Sequence, residues 1–356
     1  MTCNRTKTAS GSWCASLARL SCLALLVLLC TQATVAAQVS PDPELVGERP
    51  TRNGEPTVVK VSMTIIDIDE IDDVNQRFSV DLFINARWQD PRLALPDAER
   101  EGKVRFMMVD EVWTPKILIL NDRGLTGQLR EGVEVDDLGN ISYQNRLSGE
   151  LKVNLEFQEF PFDEQRLPID IVSYAHTVDE MQFSVISSLE HQADTFSIEG
   201  WKLKQLEPIV ADLVTPVDKV KIPRLTFIIE AKRDSDYYVL TMLVPMALII
   251  FMAWTVFWLQ PNIVPPRISI ATASIFSLIA LGVSIRLGLP KVSYLTRADF
   301  FVLGCTLMVF LALGVAVIGS RWANSDRMAL ALKINAIARW VYMILFVVVL
   351  FVAFDQ

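Results

Sequence analysis

The chain has 356 residues, a formal net charge of −8 and 51% apolar content, which is room for two domains. Of its 41 acidic residues, all but Asp299, Asp326 and Asp355 precede Tyr237. The acidic first part lacks the basic patch that nucleic acid requires, and the last 120 residues are too apolar for a soluble domain.

Residues 1–37 read as a signal peptide. Arg5, Lys7 and Arg19 precede the apolar run Leu20–Cys30, and Val35-Ala36-Ala37 resembles a cleavage site. An uncleaved anchor helix is the competing reading. Cleavage removes four of the five cysteines and leaves Cys305, so no disulfide forms within a mature subunit. An exported domain without disulfides favours a bacterial source. Residues 38–56, with Pro41, Pro43, Pro50 and Pro56, read as a flexible leader.

Residues 57–236 carry strand signals. Val59, Val61, Met63 and Ile65 alternate with polar residues, as do Phe78, Val80, Leu82, Ile84, Ala86 and Trp88. Leu151, Val153, Leu155 and Phe157 repeat the pattern, and so do Leu225, Phe227, Ile229 and Ala231. Short alternating strands predict an all-β, immunoglobulin-like sandwich. Phe83 is a large aromatic on the otherwise polar face of its strand, which marks either a contact surface or a chance exposure. Asp67, Asp69, Glu70, Asp72 and Asp73 form an acidic run predicted as a turn. It has the charge for Ca²⁺ modulation but not the spacing of a dedicated loop, and a solvated turn is the blander reading. No phosphate loop, HExxH, nucleophile elbow or histidine cluster is present, which argues against an enzyme, a cofactor or a resident metal.

Residues 237–356 predict a four-helix membrane domain, with spans of about 238–259, 268–285, 300–320 and 335–354. Pro245 falls inside the first span, and the 14 residues 321–334 join the last two. The second span is odd for a helix facing lipid. It holds five hydroxyls, at Ser269, Thr272, Ser274, Ser277 and Ser284. Ser269, Ala273, Phe276, Ala280 and Val283, spaced by alternating fours and threes, share one helical face with Arg267 and Arg286 near its ends. Such a stripe suits a narrow aqueous path, or close packing between helices.

At Phe160-Pro161-Phe162-Asp163-Glu164-Gln165 the sequence resembles the pentameric ligand-gated ion channels of the Cys-loop receptor superfamily. Trp88-Gln89-Asp90 and Trp113-Thr114-Pro115 look like its WxD and WxP signatures, and Leu289-Pro290-Lys291-Val292-Ser293-Tyr294 is similar to the outer end of the glycine receptor pore helix. Val153 and Leu167 stand where animal receptors carry the loop's two cysteines, a departure resembling prokaryotic members.

The resemblance implies a homopentamer in a membrane, with the β-domain outside and the second helix lining the pore. Membrane lipid, permeating inorganic ions and a small-molecule agonist or protons are then its partners, and a bacterial inner membrane with a periplasmic β-domain its location. Phe276 is the implied gate, with Val283 as a second constriction. Pro265-Pro266-Arg267 stands where anion-selective relatives carry Pro-Ala-Arg, so rings of Arg267 and Arg286 are expected to favour chloride. A cation channel of the same fold and a non-conducting periplasmic sensor are the alternatives. Asp72, Asp73, Val74, Phe160, Pro161, Phe162, Asp163 and Arg233 are expected to meet Pro290, Lys291 and Tyr294 as the gating interface, with Arg233 facing Asp163 and Asp73. Phe83 and Tyr174 match aromatic positions of the inter-subunit ligand pocket, with His176 beside it. Leu118 and Ile222 replace two other aromatics, so a cage for an amine is incomplete.

Overall fold

A computed structural model describes residues 46–50, 54–129, 131–186, 196–287, 292–325 and 327–354. The segment expected to be a signal peptide, most of the expected leader, Pro290 and Lys291 lie outside the described residues. Twelve strands form two sheets among the described residues. They are β1 (Thr57–Asp72), β2 (Arg77–Gln89), β3 (Arg105–Met108), β4 (Ile117–Ile119), β5 (Thr126–Gly127), β6 (Gly132–Val135), β7 (Asn140–Lys152), β8 (Glu164–Ser173), β9 (Met181–Val185), β10 (Trp201–Gln205), β11 (Ile209–Val214) and β12 (Lys221–Arg233).

One sheet has the order β3-β6-β7-β2-β1-β9, with β5 also on β7; the other runs β10-β12-β8-β4, with β11 also on β12. The pairings are antiparallel except β1 with β9, where Thr57 opposes Met181. The inward faces are the alternating residues read from the sequence. Val59, Val61, Phe78, Val80, Leu82, Ile84, Leu225, Phe227 and Ile229 are all buried in one continuous core. Leu151, Val153, Leu155 and Phe157 are buried as well, but β7 stops at Lys152 because its partner β2 begins at Arg77, and the remainder continues without a ladder.

The two tryptophan motifs pack together. Trp88 meets Trp113 edge to face, with ring centroids 6.3 Å apart. Asp90 is fully buried and accepts hydrogen bonds from Arg92 Nε (2.9 Å) and Arg92 N (3.0 Å). Its backbone lies against Gly139, where φ is +76° and an added Cβ would come within 2.3 Å of Asp90 O. Glycine is therefore required there on both counts.

One expectation for the β-domain changes. The acidic run Asp67–Asp73 is not a turn: Asp67 to Asp72 lie in β1, and the turn follows. Its carboxylates also disperse to separate partners. Asp67 accepts from Ser197 and Asp72 from Asn75 and Arg77, while Asp73 pairs with Arg233. Among the described residues no group of three or more candidate ligands gathers to hold a metal ion.

Among the described residues, four helices are long and apolar enough to cross a membrane: α1 (Asp236–Trp258), α2 (Val264–Leu287), α3 (Arg297–Ala323) and α4 (Met328–Phe354). Pro245 does not break α1. It sits in the first turn of the regular helix Val244–Trp254, after a wide turn, Val239–Leu243, in which Val244 N–H bonds Val239 O. The wider turn absorbs the donor that proline lacks. Residues 324–327, rather than 14, join α3 to α4, since both helices run past the apolar core into charged ends. Thr296 caps α3: its hydroxyl accepts Asp299 N–H, and Asp299 in return accepts Thr296 N–H.

Candidate functional site

The junction between the β-domain and the helices is built around Arg233, the last residue of β12. Its Nε donates to Asp163 Oδ1 at 2.8 Å, and Nη1 to Asp73 Oδ2 at 2.8 Å. Nη2 completes both pairs, to Asp73 Oδ1 at 3.0 Å and Asp163 Oδ2 at 3.2 Å. The guanidinium lies 4.1 Å from the Trp201 ring centroid, with Phe160 and Tyr238 beyond it. Burial pulls the Arg233 pKa down, but the hydrogen bonds and charges of Asp73 and Asp163 outweigh it, and the net shift is upward. This is a buried, doubly bidentate cluster rather than a surface ion pair.

Asp163 is held from the other side by Gln165, whose side chain also closes the loop onto Glu156 N and O. The loop then docks on the helices. Phe157 N donates to Tyr294 Oη at 2.9 Å, Arg297 N to Gln158 O at 3.0 Å and Ala298 N to Phe160 O at 3.3 Å. Arg297 Nη2 reaches Glu159 Oε1 at 3.1 Å. The Phe162 ring meets Phe354 at the end of α4, 5.6 Å between centroids, and the Phe160 ring meets Tyr238 at 4.9 Å. Phe160-Pro161 is a cis peptide. Asp72 stays within its own turn, accepting from Val74 N, Asn75 and Arg77, and its pKa is lowered chiefly by the Asn75 side chain. It therefore shapes the turn that presents the exposed Val74. Trp201, Tyr238, Glu159 and Arg297 were not expected here. No sequence signal pointed to them, since even the charged pair, Arg297 and Glu159, joins residues 138 apart.

On α2, Ser269, Ala273, Phe276, Ala280 and Val283 are all exposed, and Phe276 is 71% so. The opposite face, Arg267, Ala271, Ser274 and Leu278, is buried against the other helices. Ser274 donates back to Ile270 O and Thr272 to Ile268 O, so these two hydroxyls serve the helix and not the stripe. Arg267 corrects an expectation. Its side chain is 0% exposed and bonds Asn335 Oδ1 at 2.7 Å, so it stands behind the stripe and does not line it. Pro265 and Pro266 are exposed at that end. Arg286 is exposed at the other, with Nε 3.9 Å from Asp299 Oδ1, which offsets part of its charge.

The candidate ligand residues separate within one chain. Phe83 is half-buried on the outer face of the larger sheet, opposite Thr64 and Arg146. Tyr174 follows β8 on the smaller sheet and is 61% exposed. His176 stacks on Trp113, 5.2 Å between centroids, and its Nε2 is buried without a partner among the described residues. Desolvation lowers the His176 pKa, and the nearby Glu180 charge only partly opposes it. Leu118 in β4 and Ile222 in β12 supply no ring.

Comparison with known proteins agrees with this geometry. Residues 46–234 match the neurotransmitter-gated ion-channel ligand binding domain, and residues 242–324 match the neurotransmitter-gated ion-channel transmembrane region. The chain is similar to the gamma-aminobutyric acid receptor subunit beta-4 of Gallus gallus, 26% identical over 310 residues, which is 82% of this chain and 62% of that protein. It thus spans about three fifths of the length of this curated relative. With a two-sheet domain seated on four apolar helices and both halves matched, the chain belongs to the neurotransmitter-gated ion channels, the pentameric Cys-loop receptor superfamily.

Proposed function

We propose that this protein is a homopentameric ligand-gated channel that passes inorganic ions, with a preference for anions, when a small molecule or protons act on its β-domain. The observation that carries the reading is the exposed stripe on α2, apolar and bulky at Phe276 and Val283 and small at Ser269 and Ala273. Five copies facing one axis form stacked rings that span ~21 Å at the helical rise. Phe276 narrows the column at its middle, where an apolar neck stops ions by dewetting. The contacts of the Arg233 cluster and the Phe157–Phe162 loop with Tyr294 and Phe354 support a route by which motion of the sandwich reaches α3 and α4. An agonist acts by its preference for the open arrangement.

Anion preference rests on Arg267 and Arg286, on the absence of any carboxylate in the sequence between Asp236 and Asp299, and on the likeness to a gamma-aminobutyric acid receptor subunit. The strongly acidic β-domain favours the second reading, cation selectivity, but its charges act across more than the ~8 Å screening length. The incomplete aromatic set favours an agonist other than an aromatic-caged amine. We assign the protein to a bacterial inner membrane, β-domain in the periplasm, on the expected signal peptide and the cysteine-poor exported part.

Current recording in planar bilayers tests this. Chloride is exchanged for a large organic anion while pH, Ca²⁺, small amines and gamma-aminobutyric acid are varied. Agonist-dependent current whose reversal follows chloride supports the proposal. Cysteines placed at 269, 276 and 283 that react only with lipid-phase reagents would sink it.

A further inference from the structure

The inner ends of all four helices meet at a buried polar junction that the stripe does not include. Asn335 of α4 sits at its centre, buried. Its Oδ1 accepts Arg267 Nη2 at 2.7 Å, and its Nδ2 donates to Phe257 O at 3.0 Å and Leu259 O at 3.1 Å. The amide can point only this way, because a guanidinium only donates and the carbonyls only accept. Phe257 O also accepts Arg339 Nε at 2.9 Å, and the Arg339 guanidinium lies 4.4 Å from the Trp258 ring centroid. Asn335 therefore ties the carbonyls that end α1 to the arginine that opens α2.

Arg267 itself is poorly compensated. Nε and Nη1 have no partner among the described residues, and none of the ion pairs among them includes it. Gly319 of α3 leaves room beside it, since a Cβ there would stand 3.5 Å from Nη1. A guanidinium stays charged when buried, and this one lies in the first turn of α2, where the helix dipole adds to its positive potential. An amide satisfies one N–H but cancels no charge; a carboxylate would do both.

We propose that Asn335 is a positioning residue for ion selectivity: it holds the Arg267 charge at the inner end of α2 while leaving it unneutralised. The inference rests on the reading of α2 as the pore helix. The field of five such charges reaches the neck from behind the stripe, through low-dielectric protein.

The test compares the full-length channel with Asn335→Asp and Asn335→Leu in a sodium chloride gradient, reading the zero-current potential after pentamers are confirmed by size. The wild-type potential tests the anion reading by itself. The Asp variant supplies a counter-charge, and its chloride-to-sodium permeability ratio is expected to fall roughly threefold or more. The Leu variant frees Arg267 without neutralising it, and its fall is smaller. An unchanged ratio in Asn335→Asp, or equal falls in both variants, overturns the inference. If the wild type prefers sodium, the anion reading fails alone, and Asn335→Asp must then prefer sodium further. If the Asp chains do not assemble, Asn335→Leu decides, and an unchanged ratio there overturns the inference. A wild-type chain silent under every condition defeats both.

Discussion

Tyr294 and Phe157 join the two halves of the molecule through one hydrogen bond: the Phe157 N–H donates to the Tyr294 phenol oxygen at 2.9 Å. The bond connects the segment leading into α3 with the loop that carries Phe160 and Asp163. Tyr294→Phe keeps the ring and removes the acceptor. Hydrogen exchange at the Phe157 amide, followed by mass spectrometry of residues 153–163, should speed up while the β-strand amides stay unchanged. Equal exchange in both proteins would mean that water replaces the phenol at no cost.

Arg233→Gln strands two carboxylates around a site with little water. The expected loss is about 3–5 kcal/mol of stability, read from thermal or denaturant unfolding of the pentamer. Asp163→Asn alone should cost less, and the double variant less than the sum, because the partners share one cluster. Additive losses would show that Arg233 and Asp163 act independently.

His176 makes the fold sensitive to acid. Desolvation depresses its pKa below the ordinary 6.5, so the folded state favours the neutral ring. Its contribution is present above the unfolded value and is lost as pH falls toward the lower folded value. The stability advantage of wild type over His176→Gln should therefore shrink from about pH 8 to about pH 5. A constant difference over that range contradicts the argument.

Phe276→Ser replaces the bulkiest residue of the exposed stripe with a small hydroxyl. A neck that was dry becomes wettable, and standing current without agonist is the expected result in planar bilayers. Val283→Ser should leak less, since the bulkier Phe276 remains. Silence in the Phe276 variant, with pentamers intact, would move the gate elsewhere.

Much of the architecture could be read along the chain because it depends on local periodicity. The alternation from Phe78 to Trp88 named the buried face of β2, and the four-three spacing from Ser269 to Val283 named the exposed face of α2. That Arg233 faces Asp163 and Asp73 was implied only by the family resemblance carried by the Phe160–Gln165 loop. What periodicity could not tell is which helix face a long side chain crosses to. Arg267 follows the exposed Pro265 and Pro266 but turns inward, because Asn335, 68 residues later, offers the acceptor. Likewise five carboxylates between residues 67 and 73 read as one acidic turn, although strand pairing sends three of them to Ser197, Arg77 and Arg233.

Sequence alone determined the two-part chain, the strand and helix faces, and the kind of residue on the stripe, since each follows from spacing within a single element. Only the tertiary structure decided that Arg233 is buried between two carboxylates, that Arg267 hangs from α4, and that Tyr294 meets Phe157. Those contacts join residues far apart in the chain, where burial and the need to satisfy each polar group select the partner and local spacing carries no information.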